Sequence, residues 1–205
     1  WDASLIYYDQ ADKSPVLVQR RVPQPAGPDV ILLRPTHPRL HIAGATLAKS
    51  IEPVVVRGEV AVTVGKRYET IDVGDRDWIV RRDTIDYLLG VDVPIFDVST
   101  AVQVSQKILT GPVRSIARGA VEGVVTTSIA LRLSTPFFED SLVPSVLFVI
   151  NANRADFRAS PRIDWLVTGA LTVSVGADIF EGARRTLYGQ FDRNDRVYIT
   201  TTWRF

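Results

Sequence analysis

The chain has 205 residues, 24 Lys and Arg against 23 Asp and Glu, a net charge of +1, and neither cysteine nor methionine. That length allows one domain with a sizeable core, and the charge balance excludes the basic footprint of a nucleic-acid or polyanion partner. Without cysteine there is no disulfide framework, thiolate metal site or thiol nucleophile, and no run approaches the ~18 apolar residues of a membrane helix, so any crossing of a bilayer falls to strands.

In chain order, the first segments read least clearly. Residues 1–20 and 39–51 mix apolar and polar side chains on both parities and have no assignable face. Between them, 21–38 contains VPQPAGPDV and RPTHP, a proline-rich external loop that either folds inward as a constriction or forms a protein-docking surface. Alternation then sets in. Val54, Val56, Val60 and Val62 oppose Arg57, Glu59 and Thr63, and Ile85, Tyr87, Leu89, Val91 and Val93 oppose Asp86, Gly90 and Asp92. Val98, Thr100, Val102 and Val104 oppose Asp97, Ser99, Ala101, Gln103 and Ser105, on the parity that continues to Lys107. Val125, Thr127, Ile129, Leu131 and Leu133 oppose Thr126, Ser128, Ala130, Arg132 and Ser134. Phe157, Ala159, Pro161, Ile163 and Trp165 oppose Arg158, Ser160, Arg162 and Asp164; Leu171, Val173, Val175, Ala177 and Ile179 oppose Thr172, Ser174, Gly176 and Asp178. The final VYITTTWRF sets Val197, Ile199, Trp203 and Phe205 against Tyr198, Thr200, Thr202 and Arg204, and it stops on an aromatic. A helical period appears nowhere over a useful length. The count is ten strands.

The connections alternate in kind. Short ones fall near Glu52-Pro53, Pro94 to Asp97, Pro136 to Ser141 and Thr168-Gly169. Long polar ones fall at 21–38, 66–80, 110–121 and 181–195, with a tight link near Asn153-Arg154 as the exception. Short turns on one side and long loops on the other are the asymmetry of outer-membrane barrels. The apolar parity carries no charges, the polar parity mixes small residues with Arg, Asp, Glu and Gln, and lysines are few (Lys13, Lys49, Lys66, Lys107). Aromatics gather at strand ends, with Phe96, Phe137, Phe138, Trp165, Trp203 and Phe205 toward one rim and Tyr68, Trp78, Tyr188 and Phe191 toward the other, a girdle pattern. Residues 1–205 therefore read as a single all-β domain: an antiparallel transmembrane β-barrel, or the C-terminal part of a larger one, in the outer membrane of a Gram-negative bacterium. Because hydrocarbon offers no water to unpaired backbone groups, the sheet must close or be extended. With no initiating methionine and no signal peptide, a processed or partial product is expected.

Several stretches carry a resemblance. LVPSVLFV (142–149), GADIFEG (176–182) and YGQFDRNDRVY (188–198) with the aromatic terminus, together with RLHIAGATLAK (39–49) and PVVVRGEVAV (53–62), resemble a large, mostly uncharacterised family of proteobacterial outer-membrane barrels. The resemblance implies a porin-like conduit, in some members encoded beside efflux-type transporters for hydrophobic compounds, in chains usually much longer than this one.

The expected function is a porin-like channel for small or hydrophobic solutes through a polar lumen. The alternative is a structural or assembly barrel binding partners in a larger cell-envelope complex. The lumen-lining candidates are Arg57, Glu59, Asp86, Asp92, Lys107, Arg132, Arg158, Arg162, Asp164, Asp178 and Arg204. They either set the solute preference of a water-filled path or pair with one another and plug it. Val197, Ile199, Trp203, Phe205 and Trp165 are the candidate insertion signal and girdle, so the expected partners are the lipid bilayer, the barrel-insertion machinery and other envelope proteins. No cofactor is expected. Catalysis would need partners for His37 or His41 that the sequence does not mark, and two histidines without a third ligand do not make a metal site. Asp192, Asn194 and Asp195 lack the twelve-position calcium pattern and read as an ordinary turn.

Overall fold

The computed structural model describes residues 1–25, 27–72, 74, 78–111, 116 and 123–205. Among these residues lie fourteen strands: β1 (Asp2–Ala11), β2 (Val16–Val22), β3 (Val30–Thr36), β4 (Arg39–Ile51), β5 (Val54–Val64), β6 (Arg67–Glu69), β7 (Ile79–Arg81), β8 (Thr84–Ile95), β9 (Val98–Leu109), β10 (Val125–Ser134), β11 (Leu142–Asn151), β12 (Asp156–Leu166), β13 (Leu171–Glu181) and β14 (Arg196–Trp203). Ten of them build one antiparallel meander in the order β1-β4-β5-β8-β9-β10-β11-β12-β13-β14. The other four form two small hairpins, β2-β3 and β6-β7. The chain is all-β and antiparallel, as its alternation predicts. Among the described residues no ladder joins β1 to β14, so the sheet has two free edges.

The register sorts the side chains cleanly, because directly opposed residues share a face. One row runs Val56–Val91–Val102–Leu131–Phe148–Ala159–Ile179 across seven strands without a polar atom in any side chain. The adjacent row on the other face runs Asp92–Ala101–Arg132–Leu147–Ser160. Valine, isoleucine and threonine suit this pleated surface because their branched Cβ is already restricted in rotamer. No second layer covers the apolar face among the described residues: Leu89, in the middle of β8, is 62% exposed, and Val60, Val104, Val175 and Ile199 are exposed too.

The buried apolar residues described lie at the end where the long connections are. Tyr68, Leu109 and Ile116 form a small core with Val80 against it, and Val16 and Leu40 are the other buried apolar residues described. Tyr68 is thus a cap residue and not part of a girdle; burial first, then the charges of Asp86 and Asp12, push its hydroxyl up to about 12. The segment 21–38, expected as a loop, is largely hairpin, paired from Val16↔Thr36 to Val22↔Val30. Its prolines at 23, 25 and 28 fall in the turn, leaving Val16–Val18 and Val30–Leu33 free to pair. Within 66–80 the β6-β7 hairpin forms, while 73 and 75–77 lie outside the described residues, as do 112–115 and 117–121 of the 110–121 connection.

A polar latch fixes the base of the β2-β3 hairpin. The Asp12 amide donates to the Pro38 carbonyl at 2.7 Å, and the Asp12 carboxylate accepts from Lys66 Nζ at 2.6 Å and from the Ser14 amide at 3.0 Å. His37 Nδ1 lies 2.7 Å from the Asp12 carbonyl. Burial opposes ionisation of Asp12, but the Lys66 and Ser14 bonds and the charges of Lys66 and His37 outweigh it, holding the carboxyl below its ordinary 3.8. A depressed carboxyl stabilises the fold above its unfolded value, and that stabilisation is lost as the pH falls from about 4 through the folded value. The β2-β3 hairpin is expected to become protease-sensitive over that window, and in Asp12→Asn to be sensitive already at neutral pH, with a flattened acid limb. Limited proteolysis across a pH series measures both.

The turns at the opposite end are short. The chain reverses at Glu52-Pro53 (a cis peptide), at Phe96-Asp97, across 135–141 and across 167–170. Trp1, Phe96, Phe137, Phe138, Trp165, Trp203 and Phe205 all stand at this end and are exposed, with Lys49 Nζ 4.5 Å from the centre of a Trp1 ring. On the loop side the one short connection is the β11-β12 link. There Asn153 accepts from the Thr127 amide at 2.5 Å through Oδ1 and donates to the Val125 carbonyl at 3.1 Å through Nδ2.

Candidate functional site

The polar face of the ten-stranded sheet holds the charges singled out from sequence. β5 contributes Arg57 and Glu59, β8 Asp86 and Asp92, β9 Lys107 and β10 Arg132, while β12 contributes Arg158, Arg162 and Asp164 and β13 Asp178. Arg204 follows β14 at the short-turn end, its amide donating to the Ala170 carbonyl at 2.8 Å. Tight pairing divides this set into two flanks.

On the β12–β14 flank, Asp178 is almost fully buried and is shared by two arginines. Arg158 reaches its Oδ1 at 2.7 Å, Arg196 reaches its Oδ2 at 2.7 Å, and the Ser160 hydroxyl donates to Oδ1 at 2.7 Å. Arg158 Nε also donates to Ser160 Oγ at 2.9 Å. Toward the short turns, Arg162 and Asp164 form a second pair at 2.6 Å, with Ser174 between them: Arg162 donates to its hydroxyl at 2.9 Å and that hydroxyl donates to Asp164. Tyr198 lies across Gly176, where a Cβ would meet its ring and hydroxyl at 2.6 Å, so glycine makes room for the aromatic in the neighbouring strand.

On the β5–β9 flank Arg57 pairs with Asp92. Asp86 and Lys107 stand directly opposite in register, and Thr84 donates to Asp86 at 3.1 Å. Glu59, Lys107, Arg132 and Arg204 have no ion pair within 4 Å among the described residues. Between the flanks the floor is mostly small and neutral, with Ser99, Ala101, Gln103 and Ser105 on β9 and Thr126, Ser128, Ala130 and Ser134 on β10, interrupted by Arg132 between Ala130 and Ser134. The face thus offers a wettable strip bordered by charges that mostly neutralise one another.

Sequence reasoning missed Arg196, because the last strand was read from Val197, and missed Ser160 and Ser174 as hydrogen-bond bridges. It also missed Asp156. That fully buried carboxyl group accepts the Tyr188 amide at 2.6 Å through Oδ2, and its Oδ1 has no hydrogen-bond partner among the described residues. Over Asp156 folds the segment from Gly182 to the 3-10 turn Gly189–Phe191, so tightly that a Cβ on Gly189 would sit 2.2 Å from the Ala183 carbonyl oxygen. Acidic, small and glycine residues in a loop give no sign of such burial from spacing alone.

The histidines lie apart from this face. His37 serves the Asp12 latch, and His41 stands on the apolar face near the loop-side rim, its Nδ1 3.1 Å from the Tyr7 hydroxyl and beside the Asp9–Arg39 pair. Among the described residues, no group of three or more His, Cys, Asp or Glu could hold a metal ion, and no helix is long and apolar enough to cross a membrane. Compared with family models, curated proteins and solved structures, the chain matches none.

Proposed function

We propose that the chain is all or the C-terminal part of an outer-membrane β-barrel of a Gram-negative bacterium, of the family its motifs resemble, and that it passes small or hydrophobic solutes through a polar lumen. The single observation that carries this reading is the uncovered apolar face, whose few charges (Asp9, Arg39, Lys49 and Glu181) stand only at its two rims while the others lie on its reverse. A soluble sheet would lay a second layer over such a face; lipid tails cover it without one. The strands have the reach for it: eight to thirteen residues tilted by ~40° rise roughly 20–33 Å along the normal, around the ~25 Å apolar band of such barrels. β1 and β14 run antiparallel, so their pairing would close a ring of ten strands, and further strands inserted between them would widen it. The terminal strand with Val197, Ile199, Trp203 and Phe205 is the segment offered to the insertion machinery, and Trp165 stands with it in the girdle.

The aromatic turn residues support the orientation. Phe96 and Phe138 adopt φ of 55° and 53°, a left-handed conformation that glycine holds at no cost. Phe96 is almost wholly exposed and Phe138 largely so, which suits interfacial anchors. Phe96→Gly is expected to relax the turn, stabilising the chain in detergent by about 0.5–1 kcal/mol, yet to lower its retention in vesicles. Denaturant titration and vesicle flotation read the two opposed effects.

Conductance in planar bilayers tests the function: discrete open steps are expected, and a chain that stays monodisperse in plain buffer overturns the membrane reading altogether. The Arg158–Asp178–Arg196 cluster favours a second reading, a sealed structural barrel whose loops bind partners in an envelope complex. That reading requires bilayers to stay silent while the chain inserts.

A further inference from the structure

A cluster of arginines at the loop-side end lies outside the polar face already described. Arg67 on β6 stands directly opposite Arg81 on β7. Opposed residues on an antiparallel pair hold their Cβ atoms ~5 Å apart, where like charges destabilise the hairpin. Arg82 follows at once and turns back, donating through Nη1 to the Arg81 carbonyl at 2.8 Å. Its side chain runs alongside Gly111, where a Cβ would stand 3.4 Å from Arg82 Cδ and Nε. Arg81, Arg82, Asp83, Thr110 and Gly111 line a pocket of about 300 Å³.

The backbone of this pocket is rigidly tied. The Thr110 amide donates to the Asp83 carbonyl at 2.9 Å, the Asp83 amide donates to Thr110 Oγ1 at 3.1 Å, and the Arg82 amide donates to the Lys66 carbonyl at 2.9 Å. The one carboxylate in the wall, Asp83, accepts the Gly65 amide at 2.9 Å and is 3.9 Å from Arg81 Nε, a loose contact that leaves most of the guanidinium's donors unspent.

We infer that this pocket binds a phosphate group through Arg81, with Arg82 adding charge from the pocket wall and Arg67 from across the hairpin. A tetrahedral dianion resolves the like-charge juxtaposition of Arg67 and Arg81 and matches the planar fork of the Arg81 guanidinium. The volume admits the phosphate and a few further atoms, which fits a phosphate monoester of a small solute or the headgroup of a phospholipid. The inference does not rest on conduction, since the pocket lies in the loop-side cap.

The test uses the full chain in a phosphate-free nonionic detergent at constant ionic strength, titrated calorimetrically with glycerol 3-phosphate, alongside flotation with phosphatidylglycerol vesicles. Saturable binding of glycerol 3-phosphate is expected, weakened about tenfold in Arg81→Gln or Arg82→Gln and abolished in the double variant. Arg184→Gln, outside the pocket, serves as the folding-matched control and leaves binding unchanged. Asp83→Asn retains the acceptor for Gly65 but removes the opposing charge, so it is expected to tighten binding. Arginine-dependent binding to vesicles without binding of the soluble monoester would assign the site to a lipid headgroup and still support a phosphate site. Failure of both probes, or binding that survives in the Arg81→Gln/Arg82→Gln double variant, overturns it.

Discussion

Leu89→Arg is expected to cost about 2–4 kcal/mol in lipid vesicles, the range for a cation on the lipid face at mid-depth, whereas Ile95→Arg, on the same strand and face at the short-turn rim, should cost only about 0–1 kcal/mol. The graded difference matters more than either value. A soluble core would also reject arginine at Leu89, but it would not respond to bilayer thickness. In thinner bilayers the charged headgroups approach Leu89 and its penalty should shrink, while Ile95→Arg should barely change. Urea titrations followed by tryptophan fluorescence in vesicles of two acyl-chain lengths supply the measurement. Equal costs at both positions, indifferent to thickness, would place the valine-rich face inside a soluble protein.

Asp178→Ala should be the most damaging change on the polar face. The carboxylate is 1% exposed and neutralises Arg158 and Arg196 together. Arg158 and Arg196 are partly exposed, so water takes up some of the lost pairing, and the loss of charge-assisted bonds together with the repulsion left between the two arginines is expected to cost about 1.5–3 kcal/mol. The same change frees two guanidinium groups toward the space above the sheet. In planar bilayers the variant is therefore expected to pass more current and to shift its reversal potential toward anion preference in a salt gradient. Asp178→Asn, which retains the shape and one acceptor, should move both readouts less. Unchanged stability in Asp178→Ala would mean that the shared carboxylate does not hold β12, β13 and β14 together.

The fold was readable where the two faces differ in chemistry. From β5 to β10 the charged residues fall on one parity and most valines on the other, and the register keeps them so. β1 and β4 defeat that reading for a physical reason. Gly44, Ala45 and Ala48 are small enough to suit either face, Ile6 lies over Gly44, and Asp9, Arg39 and His41 put charge on the apolar side near the loop-side rim. β11 is apolar on both sides, with Val143 and Leu147 on the polar face among small or charged partners. The β6-β7 hairpin escapes notice because strands of three residues have no measurable period. Of the site, the charged residues were legible one by one, but their grouping was not. Which arginine shares Asp178 depends on the stagger between β12, β13 and β14, and stagger is set by turn geometry and by Gly176 accommodating Tyr198, neither of which alternation encodes.

The β11-β12 link makes the loop-side rim uneven. Everywhere else along the sheet that edge carries a hairpin or a long connection, but between Asn151 and Asp156 the chain reverses at once, pinned to β10 by Asn153. Among the described residues the rim therefore has one low, stiff saddle, and it opens beside the small residues of β9 and β10, with Lys107 nearby on the same face. If the chain is the conduit proposed above, a solute entering from this side meets the least steric obstruction there, so bulky substitutions at Ala152 or Arg154 should slow entry more than equal bulk added to the β2-β3 hairpin.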